Sequence, residues 1–153
     1  MVDVLGQPVK RHEDDRLVQG RGQYTDDIRL PGMVYAHMVR SPHAHAKIKD
    51  VDKSAALALP GVLAVFAGAD LKDQVGMIPT AWIPPNADMK MTPHPALAYD
   101  TVRYVGDGVA VVIAEDPYTA SDAADLVRVT YAPLDAVVHP REATGFCPFH
   151  WPP

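Results

Sequence analysis

Cysteine is almost absent from this sequence, which has a single residue of this type, Cys147, among 153. One cysteine excludes an internal disulfide and any metal site built from several thiolates. Basic residues are also few, with 14 Lys and Arg against 19 Asp and Glu and a formal net charge of -5. Because no basic patch dominates, we expect no nucleic-acid partner. No apolar run approaches the length of a membrane span, so we expect no membrane partner.

A secretory signal is also missing from the start of the sequence. Residues 1–8 contain no basic region followed by a long apolar run. With one cysteine, this predicts a reduced, cytoplasmic location. What the sequence does contain, 48% hydrophobic and 22% charged residues, is typical of one globular domain. Its 15 prolines fall mostly between apolar segments and predict long ordered loops.

Residues 99–131 are the stretch around which we predict the rest of the chain to be organised. Val109–Ala114 is an unbroken apolar run, which favours a strand buried on both faces. Asp116 is a suitable helix N-cap, and Pro117 suits the first helical position. An alanine-rich helix face follows, and the period then changes to the alternation of a strand over Val127–Tyr131. The stretch therefore predicts a β–α–β unit.

A similar order of elements is predicted earlier in the chain. Residues 46–52 alternate as a strand, with a slip near Asp50, and residues 54–59 favour a short helix ended by Pro60 and Gly61. Val62–Phe66 then reads as a buried strand. This echoes residues 109–131 in element order, although the two sequences do not match as a repeat.

The long segment 72–98 is rich in proline and is predicted to be a loop pinned by Trp82 and Met89. Loops of this length are usually functional or form interaction surfaces.

His43 and His45 are the candidate metal ligands in this sequence. Residues two apart in a strand share a face, so both imidazoles could reach one ion. A third ligand would have to come from His37, His94 or an acidic residue. The alternative is a turn after Pro42 whose histidines bond to the backbone or pack at an interface.

Ser41 lies beside His43, but no nucleophile-elbow pattern surrounds it, so we predict no serine catalysis there. From the residues alone, no catalytic and no cofactor-binding group is predicted.

Several short motifs, in this order and spacing, resemble the α/β-hammerhead domain of aldehyde oxidases and xanthine dehydrogenases. The resemblance extends from about residue 6 to residue 143. One departure is Asp107–Gly108, where the family usually has glutamate or glutamine followed by proline. The motifs are Gly20–Asp27, Leu30–Met33, Arg40–Ala46, Pro60–Val62, Pro95–Ala98 and Val102–Gly106.

The resemblance implies an α+β fold, with a mixed sheet, two short helices and an extended N-terminal arm. It divides the chain into the arm, residues 1–32, and the hammerhead domain, residues 33–143. Residues 144–153 do not resemble the continuation of the family. We interpret them as the product of a truncated or frameshifted reading frame, and the alternatives are a naturally short protein or a partial sequence.

The function implied by the resemblance is that of a domain in the molybdenum-binding subunit of a xanthine dehydrogenase, aldehyde oxidase or carbon monoxide dehydrogenase. Such molybdenum hydroxylases oxidise their substrates with oxygen from water. In them the molybdopterin ligands and the catalytic glutamate lie in a larger region after this domain. The chain itself is therefore expected to bind no cofactor and to have a structural and interface role.

The expected partners are the C-terminal molybdopterin-binding domain and the iron–sulfur and flavin subunits, with 2Fe-2S and FAD as their cofactors. The alternative function is a free-standing binding module. It would bind a metal through His43 and His45, or a ligand through the 72–98 loop.

Overall fold

The N-terminal part of the chain contains more regular structure than the predicted extended arm. The computed structural model describes residues 6–79 and 94–139, and residues 1–33 form a unit separate from residues 34–153. In the first unit, helix α1 spans Asp14–Val18, and a 3-10 helix spans Thr25–Asp27. The backbone and side chain of Arg11 both donate to the Asp14 carboxylate, at 3.0 and 3.1 Å. This local bonding turns part of the charged run into a helix.

The second unit contains six strands and three helices among its described residues. The strands are β1 (Tyr35–Arg40), β2 (Ala46–Asp52), β3 (Val62–Ala67), β4 (Thr101–Val102), β5 (Gly108–Ala114) and β6 (Arg128–Pro133). The helices are α2 (Ser54–Leu57), α3 (Gly68–Leu71) and α4 (Pro117–Leu126). No helix within residues 6–79 and 94–139 is long and apolar enough to cross a membrane.

The strands form two antiparallel sheets, which confirms the predicted α+β class. The prediction had one mixed sheet in place of these two. One sheet has the order β1-β5-β3 and the other has the order β4-β2-β6. The predicted strands and helix of residues 109–131 are present, but β5 and β6 belong to different sheets. Helix α4 therefore carries the chain from one sheet to the other, and β5 and β6 do not pair with each other.

The two strand–helix–strand segments, β2–α2–β3 and β5–α4–β6, pack against each other. Helix α2 carries the chain from the second sheet to the first, in the reverse direction to α4. Strand β3 pairs with β5, β2 pairs with β6, and α2 packs on α4. Each strand and helix of one segment thus lies next to a strand or helix of the other segment.

Local signals in the sequence placed several element boundaries correctly. The Asp116 carboxylate accepts the backbone N–H groups of Tyr118 and Thr119, at 2.9 and 3.0 Å, and caps α4. The predicted slip near Asp50 is a break in the β2–β6 register between Ile48 and Asp50. After α2 the chain turns at Gly61, whose φ of 87° lies in the region that favours glycine.

Strand β5 is the centre of the second unit, as the apolar run predicted. Its Ala110 and Val112 belong to a core cluster with residues of α2, α4 and β3, while Val109 belongs to a second cluster on the other side. All three are fully buried. The strand is thus buried on both faces and links the two cores.

Two regions named in the sequence predictions are outside the described residues. These are the centre of the 72–98 loop, including Trp82 and Met89, and the tail 144–153. At the edges of the first region, the Ile78 N–H donates to the His94 carbonyl at 2.7 Å.

Candidate functional site

Ser41 ends β1 in a turn whose polar groups bond to one another. The side chain is 2% exposed. Its hydroxyl accepts the backbone N–H of His43 at 3.0 Å and donates to the His43 carbonyl at 3.2 Å. The hydroxyl is therefore engaged with its own turn.

The loop at residues 103–107 is fastened to this turn by backbone hydrogen bonds. The Gly106 N–H donates to the Ser41 carbonyl, and the Ser41 N–H donates to the Asp107 carbonyl, both at 2.8 Å. The Arg40 guanidinium donates to the Gly106 carbonyl at 2.9 Å. Gly106 has a φ of 93°, which a residue with a β-carbon rarely adopts. The two loops therefore form one rigid unit.

Asp107, at the departure from the family pattern, is buried and bonded within this loop. Its carboxylate accepts the backbone N–H of Arg103 at 3.1 Å. Burial, together with the charge and hydrogen bond of Asp107, raises the pKa of Tyr104 above its ordinary value. Burial also raises the pKa of Tyr131, although a hydrogen bond with Ser41 opposes that rise. Both hydroxyls thus remain protonated at neutral pH.

The candidate metal ligands His43 and His45 make different contacts. The His43 ring packs edge-on against Tyr131, with ring centroids 4.9 Å apart. The Nδ1 of His45 lies 2.6 Å from the Asp135 carbonyl oxygen, so this nitrogen carries the proton. His45 thus bonds to the backbone, and His43 packs against a side chain of the same domain.

The histidines considered as third ligands, His37 and His94, have different neighbours. His37 pairs with Val112 in the β1–β5 ladder. His94 stacks on Tyr104 at a centroid distance of 6.1 Å. Among the residues that the structure describes, no group of three or more His, Cys, Asp or Glu side chains could hold a metal ion.

A groove of about 240 Å³ opens beside the two fastened loops, and we call it the loop groove. It combines the 44–45 turn, the 103–105 loop and the segment that follows β6. Val105 and Val138 are 65% and 87% exposed. Its lining residues are Ala44, His45, Arg103, Tyr104, Val105, Ala136, Val137 and Val138.

Sequence reasoning missed the loop groove because its three walls are far apart in the chain. Of its lining residues, only His45 was singled out, and as a metal ligand. Residues 136–138 carry no motif, and only their position after β6 brings them to the 44–45 turn. Chemically, the groove can hold an apolar group beside the side chain of Arg103.

The chain is similar to a family of known enzymes over most of its length. The family described as "Aldehyde oxidase and xanthine dehydrogenase, a/b hammerhead domain" matches residues 19–135. The carbon monoxide dehydrogenase large chain of Afipia carboxidovorans is 45% identical over 140 residues, which are 91% of this chain and 16% of that one. The putative xanthine dehydrogenase molybdenum-binding subunit of Escherichia coli K12 is 39% identical over 127 residues, 82% of this chain and 17% of that one.

Solved structures show the same similarity. The quinoline 2-oxidoreductase of Pseudomonas putida 86 matches with a TM-score of 0.83 and 41% identity, over 89% of this chain and 17% of that one. The chain thus spans about a sixth of the length of the curated relatives it matches.

Proposed function

We propose, because this chain belongs to the aldehyde oxidase and xanthine dehydrogenase a/b hammerhead family, that it forms the hammerhead domain of a molybdenum-binding large subunit. The enzyme would be an oxidoreductase of the xanthine dehydrogenase, aldehyde oxidase or carbon monoxide dehydrogenase type, in the cytoplasm. The observation that carries the proposal is the family match over residues 19–135. Identities of 39–45% to two large subunits of this kind support it.

In this proposal the domain contributes structure and interface, and the remainder of the subunit contributes the chemistry. The polar side chains of the candidate site support that division, because they form hydrogen bonds with backbone groups of the domain itself. Ser41 bonds to its own turn, Asp107 accepts a loop N–H, and His45 donates to a backbone carbonyl. The molybdopterin-binding domain and the iron–sulfur and flavin subunits are the proposed partners.

The loop groove does not fit the molybdenum cofactor that the family implies. Sites for molecules of cofactor size are usually about 300–1,000 Å³, with several converging polar groups. The loop groove is about 240 Å³ and is lined mainly by alanine and valine. We therefore propose that molybdopterin binds in another part of the complete subunit, with 2Fe-2S and FAD in partner subunits.

The proposal is tested first by the metal and cofactor content of the purified chain. We expect elemental analysis and absorbance spectra to show no stoichiometric molybdenum, iron or flavin. Molybdenum near one atom per chain would contradict the structural role, because the domain would then bind the metal itself.

A replacement experiment tests the family role directly. The matching 140-residue segment of the Afipia carboxidovorans large chain would be replaced by the corresponding residues of this chain. We expect the chimeric enzyme to assemble and to retain oxidation of carbon monoxide. The matched control is the same chimera with Val112→Asp, which disrupts the core and should not assemble. Failure of the unmodified chimera to assemble would contradict the proposal.

A further inference from the structure

We infer that the loop groove is the seat of a bulky apolar side chain from the part of the large subunit outside this domain. This inference rests on the proposed function and names the surface through which the domain meets the remainder of its subunit. Three features of the groove carry it: its rigid walls, its exposed apolar lining and its size.

The walls of the groove are held by hydrogen bonds that do not involve an occupant. The Leu134 N–H donates to the His45 carbonyl at 2.9 Å, and the His45 ring donates to the Asp135 carbonyl at 2.6 Å. These two bonds fix the segment after β6 against the 44–45 turn. The bonds from the Gly106 N–H to the Ser41 carbonyl and from the Ser41 N–H to the Asp107 carbonyl fix the other wall. A groove formed in advance binds a partner with less loss of conformational entropy.

The lining of the groove is largely apolar and exposed to solvent. Val105 and Val138 are 65% and 87% exposed, and the half-exposed Tyr104 lies beside them. Contiguous exposed apolar groups of this kind usually mark interaction sites. A single exposed valine would need no explanation, but these three side chains line one concave surface.

The size of the groove defines the occupant. A volume of about 240 Å³ is below the usual range for cofactors but suits one large aliphatic or aromatic side chain. We therefore expect the occupant to be an apolar side chain.

The remainder of the large subunit is the occupant that best fits the position of the groove. The matched residues make up only about a sixth of the curated relatives, so most of their polypeptide lies outside this domain. Strand β6 leads directly into the groove wall at 136–138, so the polypeptide that follows starts beside the groove. Tethering raises the effective concentration of such a segment over that of any separate molecule.

The test is thiol labelling of single cysteines placed at the groove. In a Cys147→Ser background, Val105→Cys and Val138→Cys report on the groove. Tyr118→Cys, at a position on α4 that is 80% exposed, is the matched control. Each variant is labelled with N-ethylmaleimide in this chain alone and in the assembled chimeric large chain described above.

We expect all three cysteines to react freely in the chain alone at low and high protein concentration. In the chimera, labelling at 105 and 138 should slow by about tenfold or more. A tenfold slower rate corresponds to a tenfold change in the equilibrium between the open and the covered groove. Labelling at 118 should be unchanged.

Four results would overturn the inference. Protection that appears in the chain alone only at high concentration would assign the groove to a second copy. Protection in the chain alone at every concentration would assign it to this chain itself. An assembled chimera with unprotected cysteines at 105 and 138 would contradict the inference while leaving the proposed function intact. A chimera that does not assemble would contradict both.

Discussion

A β-carbon added to Gly68 would lie 2.2 Å from the carbonyl oxygen of Ala98. Gly68 begins helix α3 and is buried, and Ala98 precedes β4 in the chain. Because the atom opposite is part of the backbone, it cannot move aside as a flexible side chain can. The close approach therefore requires glycine at position 68.

We predict that Gly68→Ala destabilises the protein by about 1–3 kcal/mol, the usual range for overpacking a buried site. Urea unfolding followed by circular dichroism measures it. Gly76→Ala is the matched control, since no atom lies within 4 Å of a β-carbon there. The control should change the free energy of unfolding by less than about 0.5 kcal/mol. Equal effects at the two positions would show that the contact at Ala98 is not the cause.

Replacing Val112 by aspartate should be among the most damaging single changes in the described core. Val112 is fully buried in the central strand β5 and packs with residues of α2 and α4. A buried carboxylate without a partner costs about 3–5 kcal/mol, which is a large part of the stability of a domain.

The measurement for Val112→Asp is again urea unfolding. Leu63→Asp on β3 is its control, because Leu63 belongs to the same sheet but is 52% exposed. We expect Leu63→Asp to fold and Val112→Asp to be largely unfolded in buffer. If Val112→Asp unfolded at the same urea concentration as the wild type, the two-sided burial of β5 would be wrong.

The cap of α4 makes stability depend on pH in the acidic range. Hydrogen bonds from the Thr119 side chain, from the Thr119 backbone and from the Tyr118 backbone hold the pKa of Asp116 below its ordinary value of 3.8. A carboxyl whose pKa is lower in the folded state stabilises the fold above its unfolded pKa. That contribution is lost as the pH falls through the folded pKa.

We predict that Asp116→Asn destabilises the protein at neutral pH and that its difference from the wild type shrinks below about pH 4, near the ordinary aspartate pKa. Thermal unfolding at a series of pH values measures this. Thr119→Val removes the hydroxyl donor and should reduce the same pH-dependent difference. A difference between wild type and Asp116→Asn that stays constant down to the most acidic pH would contradict the role of the charged cap.

Zinc should not stabilise the protein through His43 and His45. A ligand that binds the folded state raises the melting temperature, so a metal site there would be visible in a thermal melt. His45 already donates Nδ1–H to Asp135, and His43 packs on Tyr131. We predict the same response to zinc in the wild type and in the His43→Ala, His45→Ala double variant. A shift present only in the wild type would favour the binding-module alternative.

Local chemistry determined much of this structure from the sequence alone. Asp116 and Pro117 mark the start of α4, the apolar run marks β5, and the break in alternation near Asp50 marks the register shift. Each of these signals depends on residues a few positions apart, which is why the sequence is sufficient to read them. The charged segment at Asp14 was the local exception, since mixed charges fit both a solvated arm and a short helix.

Only the tertiary structure decided how these elements combine. Strand β5 and strand β6 follow one another around α4, yet β5 pairs with β1 and β3, and β6 pairs with β2. Antiparallel partners are chosen by contacts between distant segments, and the period of an apolar pattern does not encode its partner. For the same reason, the sequence did not predict that Gly68 approaches Ala98 or that Val105 and Val138 line one groove.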